Sequence, residues 1–342
     1  MTGGAVLAII ALAAGLSAGL IWLLRPLLVR YALARPNARS SHVVPTPQGG
    51  GIGVIAATLI AALIGLALLH SIDAGMLGLL GCAILLAVIG AVDDIVTMRA
   101  LPRLIVQFIA VGLVVSLLPS GLRLTAPTVP IVVERAALVV VGVWAVNLTN
   151  FMDGIDWMTV AEVVPVSAGL ALFGFIGALP PSACVIALAL LGAILGFAPF
   201  NRPVARLFLG DVGSLPIGLL LFWLLVVLAG RGYLIAALLL PLYYLADATI
   251  TLMRRASRGE NIFEAHRSHF YQHATKAGWP VTSVITRVFT VNVVLVVLAL
   301  LSATMRTPLA LTIILIAGAA AVAWLLAWMQ HSKPNLKAGT HG

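Results

Sequence analysis

Residues 147–156 read NLTNFMDGID, and they follow directly on the apolar run Ala136–Val146. Two asparagines and two aspartates thus fall within ten residues, in a chain that has only eleven acidic residues. A polar knot at the end of a membrane-length apolar run must face water, protein or a ligand, because lipid cannot satisfy it. Asn147, Asn150 and Asp153 are spaced by three, so a helix continued through them places them roughly along one face. Gly154 then loosens the backbone before Asp156. Amide oxygens and carboxylates on one face suit a hard cation such as magnesium. A polar loop that merely follows a span is the alternative for this stretch alone.

The composition outside the stretch sets its context. Of 342 residues, 62% are hydrophobic and 9% charged, against roughly 25% charged in a soluble domain. This predicts an all-α, polytopic integral membrane helix bundle. Cys82 and Cys184 both lie in apolar runs and imply no disulfide framework. The excess of basic residues reads as membrane topology; no water-soluble basic face with interleaved aromatics suggests nucleic acid. The N-terminal apolar run is too long for a signal-peptide core and reads as a retained span.

Eleven apolar runs are long enough to cross a bilayer: 4–24, 51–70, 75–92, 104–119, 132–148, 159–178, 182–199, 213–229, 233–253, 284–303 and 308–329. Residues 1–330 are expected to form one transmembrane catalytic domain. Residues 331–342 are expected to be a short, disordered cytoplasmic tail. Of the twenty basic residues, sixteen fall with one alternate set of loops, counting Arg287 just inside a span, and four (Arg123, Arg135, Arg231 and Arg306) with the other. The positive-inside rule then puts the N-terminus outside and the C-terminus in the cytoplasm. Asp93, Asp94, Asp153, Asp156, Asp211, Glu260 and Glu264 all sort to the cytoplasmic side, which gathers polar clusters at one mouth. A transporter or flippase of an anionic solute, the competing class, would set its ionisable groups near the midplane. Glu134, at the edge of 132–148, sorts outside with Asp73, and Glu162 and Asp247 are the acids left within spans.

Four further clusters bear on chemistry. The first cytoplasmic loop, RPNARSSHVVPTPQGGGIG (35–53), carries Arg39 and His42 as donors, and Gly49–Gly51 permit close backbone approach. Asp93 and Asp94 are adjacent at the end of a span, so a cation or a basic partner is expected beside them. The stretch 196–214 contains Asn201, Arg202, Arg206 and Asp211, the last between Gly210 and Gly213 and a plausible N-cap. In 254–282, His266, His269 and His273 would share one face of a helix and could bind zinc, though without a nearby Cys, hold a diphosphate or serve acid–base work. Asp247 reads as a partner for a basic group.

The ordered set of DD at 93–94, NxxNxxDGxD at 147–156, FNRP…FLGDVGS at 200–214 and HxxHxxxH at 266–273 resembles the polyprenyl-phosphate N-acetylhexosamine-1-phosphate transferases of glycosyltransferase family 4. The resemblance runs from about residue 35 to 280. It implies a multi-pass enzyme of the bacterial inner membrane, with a cytoplasmic active site, that moves a sugar-1-phosphate from a UDP-sugar such as UDP-GlcNAc to undecaprenyl phosphate and releases UMP. It further implies magnesium, with manganese as a substitute, and admits a homodimer in the bilayer. By position it assigns Asp93, Asp94, Asp153 and His269 as catalytic, and Asp211 with Asp153 as metal ligands. Arg39, His42, Asn147, Asn150, Asp156, Asn201, His266 and His273 become substrate-binding. The histidines are spread as HRSHFYQH and the first loop has no lysine. Both features argue against the muramoyl-pentapeptide branch, and the SSHVVPTPQGGG loop (40–51) resembles the O-antigen and exopolysaccharide-initiating branch, with Arg39 or His42 as candidates for the lysine's place.

Overall fold

The computed structural model describes residues 2–34, 46–96, 98–261 and 266–331. Arg39 and His42 therefore lie outside the described residues, as does the expected tail from residue 332. Every expected span has a helical counterpart: α1 Gly3–Tyr31, α2 Gly50–Leu68, α3 Ala74–Val96, α4 Ala100–Ser116, α5 Ile131–Met152, α6 Met158–Phe175, α7 Pro181–Phe197, α8 Asp211–Gly230, α9 Leu234–Leu239 with α10 Leu242–Ser257, α12 Val281–Thr304 and α13 Pro308–His331. A short helix, α11 Phe270–Lys276, lies between α10 and α12. Eight of these helices are long and apolar enough to cross a membrane, and α4 and α7 are shorter apolar helices.

The expected span 233–253 is not continuous. It breaks into α9 and α10 around Leu240 and Pro241, because proline offers no N–H to the turn before it and its ring crowds the carbonyl four residues back.

The bundle is built around α8. Apolar on all sides, it is buried along almost its whole length, as such a helix must be. It packs against α2, α3, α5 and α9. Gly51 of α2 and Gly213 of α8 let those two backbones touch: a Cβ on Gly51 would lie 2.3 Å from the Gly213 nitrogen. This is the use of the first loop's glycines, and small residues at helix crossings serve it generally in membranes.

At the end of the bundle where α8 begins, two loops are zipped together. Strand β1 (Leu33–Ala34) pairs antiparallel with β2 (Thr46–Pro47). Beyond β2, Phe208 N–H donates to the Pro47 carbonyl at 2.8 Å, Gly50 N–H to Phe208 at 2.9 Å and Gly51 N–H to Leu209 at 2.8 Å. The residues just before α8 are thus pinned beside the start of α2.

Candidate active site

The C-terminal ends of α3 and α5 and the N-terminal end of α8 converge, and each brings part of the polar stretch. In the last turns of α3, Asp93 accepts from Met98 N–H at 2.5 Å and from Arg103 Nη1 at 2.5 Å. The same Arg103 nitrogen lies 3.3 Å from Asp211 Oδ2. The carboxyls of Asp93 and Asp211 are themselves within hydrogen-bond reach of each other. On α5, Asn150 Nδ2 donates to Asp211 Oδ1 at 2.6 Å and to Ser214 Oγ at 2.9 Å. Asp93, Asn150 and Asp211, far apart in sequence, thus meet around Arg103. The basic partner expected beside the adjacent aspartates is Arg103, in the first turns of α4.

Asp94 does different work from its neighbour. Its Oδ1 accepts from Asp211 N–H at 2.8 Å and its Oδ2 from Val212 N–H at 3.1 Å, while the Gln48 amide donates to Oδ1 as well. Asp211 is therefore not a cap of its own helix. The N-cap position is Gly210, and the carboxylate that satisfies the helix start comes from α3. This arrangement places a negative charge where the unpaired amides of a helix N-terminus favour one.

Asp153 follows the last helical residue of α5 and takes a hydrogen bond from the Thr159 hydroxyl. Burial raises its carboxyl to about 6, helped by the charges of Asp94 and Asp156 and opposed by the Thr159 bond. It shares no helix face with Asn147 and Asn150, because α5 ends at Met152. Asn147 is buried and donates to Gln107 Oε1 at 2.6 Å and to the Val143 carbonyl at 2.8 Å, joining α5 to α4. Asp156 is also buried and accepts from Ala205 N–H at 3.0 Å. Asn201 accepts from Trp157 N–H at 2.8 Å and donates to the Leu207 carbonyl at 3.0 Å. Of these three expected substrate ligands, Asn147 ties α5 to α4, while Asp156 and Asn201 hold the α5–α6 corner against the loop before α8.

The histidines do not share one helix face. Helix α11 begins only at Phe270, so His266 precedes it, His269 is its N-cap and His273 alone lies within it. A capping box of His269 with Gln272 fixes that start, and Asp247 on α10 reinforces it, accepting from Phe270 N–H and from His269 Nδ1, each at 3.1 Å. Asp247 is therefore the partner of a basic group, as expected, and it also caps α11. His269 is 2% exposed and stacks between His266, at 4.9 Å, and Tyr271, at 5.7 Å. Tyr271 carries the link to the centre: its hydroxyl donates to the Phe151 carbonyl at 3.2 Å and rests against Gly154, where a Cβ would lie 2.0 Å from it.

Glu162, the other acid within a span, is buried and accepts from Asn292 Nδ2 at 2.7 Å. Glu162 and Asp247 are thus each engaged locally, Glu162 with α12 and Asp247 with α11.

Among the described residues, no three His, Cys, Asp or Glu side chains form a ready-made metal site. The donor set nevertheless fits magnesium, which typically takes one or two carboxylates and completes its shell with water and substrate phosphate. Asp93 and Asp211 set two carboxyls against each other, at 9% and 23% side-chain exposure, with a single guanidinium between them. Juxtaposed carboxylates of this kind favour a shared proton or a cation.

Arg103, Gln48, Ser214 and Thr159 were not singled out from the sequence as site residues. Arg103 had a signal, ten residues beyond Asp93 in a loop that needed a cation. The other three had none, since each acts through a partner remote in sequence or on another turn.

Comparison with known proteins agrees with this geometry. The model of the family described as glycosyl transferase family 4 matches residues 76–229, which span Asp93 through α8. The chain is similar to decaprenyl-phosphate N-acetylglucosaminephosphotransferase of Mycobacterium tuberculosis, with 27% identity over 72% of this chain and 70% of the relative. It is similar to the Mycolicibacterium smegmatis protein of the same name, with 31% identity over 58% of this chain and 53% of that one. It is also similar to phospho-N-acetylmuramoyl-pentapeptide-transferase of Clostridioides difficile, with 28% identity over 76% of this chain and 85% of the relative. The bundle that gathers Asp93, Asn150 and Asp211 at the mouth of its central helix is thus similar, over that same region, to the proteins of glycosyl transferase family 4.

Proposed function

We propose that this membrane enzyme transfers a sugar-1-phosphate, specifically N-acetylhexosamine-1-phosphate, from a UDP-sugar to undecaprenyl phosphate. The products are UMP and the undecaprenyl-diphospho-sugar, and the reaction opens the membrane stage of a cell-envelope glycan such as O-antigen or exopolysaccharide. Phosphosugar transfer to a polyprenyl phosphate is the activity that the family and the named relatives support. The observation that carries the reading is the meeting of Asp93, Asn150 and Asp211 around Arg103 at one end of the bundle. We place that end in the cytoplasm of a bacterial inner membrane, with the N-terminus outside, on the sixteen-to-four division of basic residues.

Two polyanions must meet at this end. Arg103 supplies a fixed positive charge toward which a phosphate can be drawn, and Asn150 keeps Asp211 oriented. Asp211, with Asp93 or Asp153, would hold magnesium, which neutralises the diphosphate and the departing nucleotide when bound. The lipid phosphate has a second pKa of about 6 and is mostly dianionic at neutral pH, so it needs no strong base. Its oxygen attacks the β-phosphorus of the UDP-sugar, and the bond from that phosphorus to the bridging oxygen breaks to release UMP. Asp93 is held by Met98 N–H and Arg103, and Asp94 by the start of α8. That engagement favours direct attack by the lipid over a phospho-aspartate.

The test is UMP release by the purified protein in detergent with undecaprenyl phosphate and a panel of UDP-sugars. Release that depends on both substrates supports the reading and identifies the sugar. No release with any UDP-N-acetylhexosamine refutes it.

A further inference from the structure

Gln48 stands just outside α2, on the segment that pairs with Phe208 ahead of α8. Its backbone is fixed by donation to the Ala32 carbonyl at 2.8 Å. Its side-chain amide reaches across Gly210 to Asp94 Oδ1, the oxygen that also takes Asp211 N–H. Gly210 leaves room for this crossing: at φ +79° it has a backbone conformation glycine adopts freely, and a Cβ there would lie 2.4 Å from Asp94 Oδ2 and 3.0 Å from Gln48 Cγ. Three donors from two separate segments therefore converge on one carboxylate, and that carboxylate fixes the first residue of α8.

We propose that Gln48 is a positioning residue of the transfer reaction, acting through Asp94 on Asp211. Asp94 is one of three mutually close carboxyls, with Asp93 and Asp211. Without an amide donor on its outer side, Asp94 is held by the two α8 amides alone, and its unbalanced charge acts on its two neighbours. The donor keeps Asp94 turned to the helix start, so that Asp93 and Asp211 are left to face the substrates and the cation. The role needs a donor at residue 48 and not merely a side chain of that size.

This rests on the proposed function, and the substitutions are chosen to separate donation from packing. Gln48→Glu preserves shape but sets an acceptor against Asp94. Gln48→Leu removes donation with similar bulk. Gln48→Lys restores a donor. Turnover, KM for the UDP-sugar, binding of manganese followed by its paramagnetic resonance signal, and melting temperature are measured for each full-length variant in detergent. Outer partners of a metal site typically contribute 10- to 100-fold to affinity or activity. Gln48→Glu and Gln48→Leu should lose about tenfold or more in kcat and bind manganese about tenfold more weakly, with KM within about twofold. Gln48→Lys should recover most of the loss. If Gln48 only filled space, the isosteric Gln48→Glu would be the mildest change and Gln48→Lys the worst. Wild-type turnover and manganese binding retained within twofold by Gln48→Glu would overturn the inference while leaving the proposed function standing. A wild-type protein that releases no UMP would instead overturn the function, and manganese binding by the variants would still decide the role of Gln48.

Discussion

Replacing Arg103 with leucine tests whether one guanidinium is what keeps two carboxylates together. Arg103 Nη1 is 2.5 Å from Asp93 and 3.3 Å from Asp211, and its side chain is 16% exposed. Leucine keeps apolar bulk on α4 but removes the charge, leaving Asp93 and Asp211 facing each other. Asp93 keeps its Met98 amide and Asp211 its Asn150 amide, so the fold at each end is retained. Removing one partner of a largely buried ion pair costs about 3–5 kcal/mol. At roughly 2–4 °C per kcal/mol for chains of a few hundred residues, the melting temperature should fall by on the order of 10 °C in EDTA. Magnesium at millimolar concentration should then narrow the gap, because a divalent cation replaces the lost charge where the two carboxylates meet. The assay is intrinsic tryptophan fluorescence during heating, at one scan rate, for both proteins with EDTA and with magnesium. A variant that melts within about 2 °C of the wild type in EDTA would refute the electrostatic account of the centre. A gap that magnesium leaves unchanged would refute the placement of the metal.

Four other outcomes follow from the same geometry. Asp211→Asn should lower UMP release at least about a hundredfold at saturating magnesium while the protein stays folded, because it removes a charge without changing size. Asp153→Asn should abolish transfer yet raise the melting temperature by a few degrees in EDTA at pH 7.5. A carboxyl moved from 3.8 to about 6 by burial carries about 3 kcal/mol of destabilisation when ionised. That cost is present above the folded value and gone below the ordinary one, so the gain should shrink as pH falls from 7 toward 4. Gly154→Ala should destabilise by about 1–3 kcal/mol through collision with the Tyr271 hydroxyl, and Tyr271→Phe in the same chain should restore part of it; chemical denaturation in mixed micelles measures both. A cysteine at Ser257 should resist a membrane-impermeant maleimide added outside intact cells, whereas cysteines at Arg123 and Arg306 should react. Equal labelling at all three would overturn the orientation.

The helices were legible because apolar runs of bilayer length have few other fates. The break at Pro241 was written in the sequence too, but the surrounding run of leucines and tyrosines masked it. Asp93, Asn150, Asp153 and Asp211 were recognisable as polar residues where apolar spans begin or end. Their division of labour was not. Asp94 caps a helix that starts 117 residues later, and no local pattern encodes that bond. The histidines show the same limit. Their spacing of three and four fits a helix face, but the helix starts at a capping box of His269 and Gln272, reinforced by Asp247, more than twenty residues earlier on α10. Local periodicity reports what a segment can form, and the capping group decides where it begins.

The two adjacent aspartates show how the bundle separates roles that a shared motif would blur. Residues 93 and 94 are consecutive on α3, so their side chains leave the helix about 100° apart. That angle alone sends one carboxylate to Arg103 and the other to the amides of α8, provided the start of α8 lies close enough to be reached. Glycine contacts supply the closeness. A Cβ at Gly90, one turn before Asp94, would lie 2.3 Å from the Asp211 carbonyl oxygen, and one at Gly51 would meet Gly213. Helix α8 is thereby held between α2 and α3 with its first residue in reach of Asp94. A side chain at Gly90 would push α3 outward at the point where Asp94 takes the Asp211 and Val212 amides, and would also lengthen the 3.3 Å contact of Arg103 with Asp211. The acidic centre therefore depends on backbone contact between its helices as much as on the residues that carry its charge.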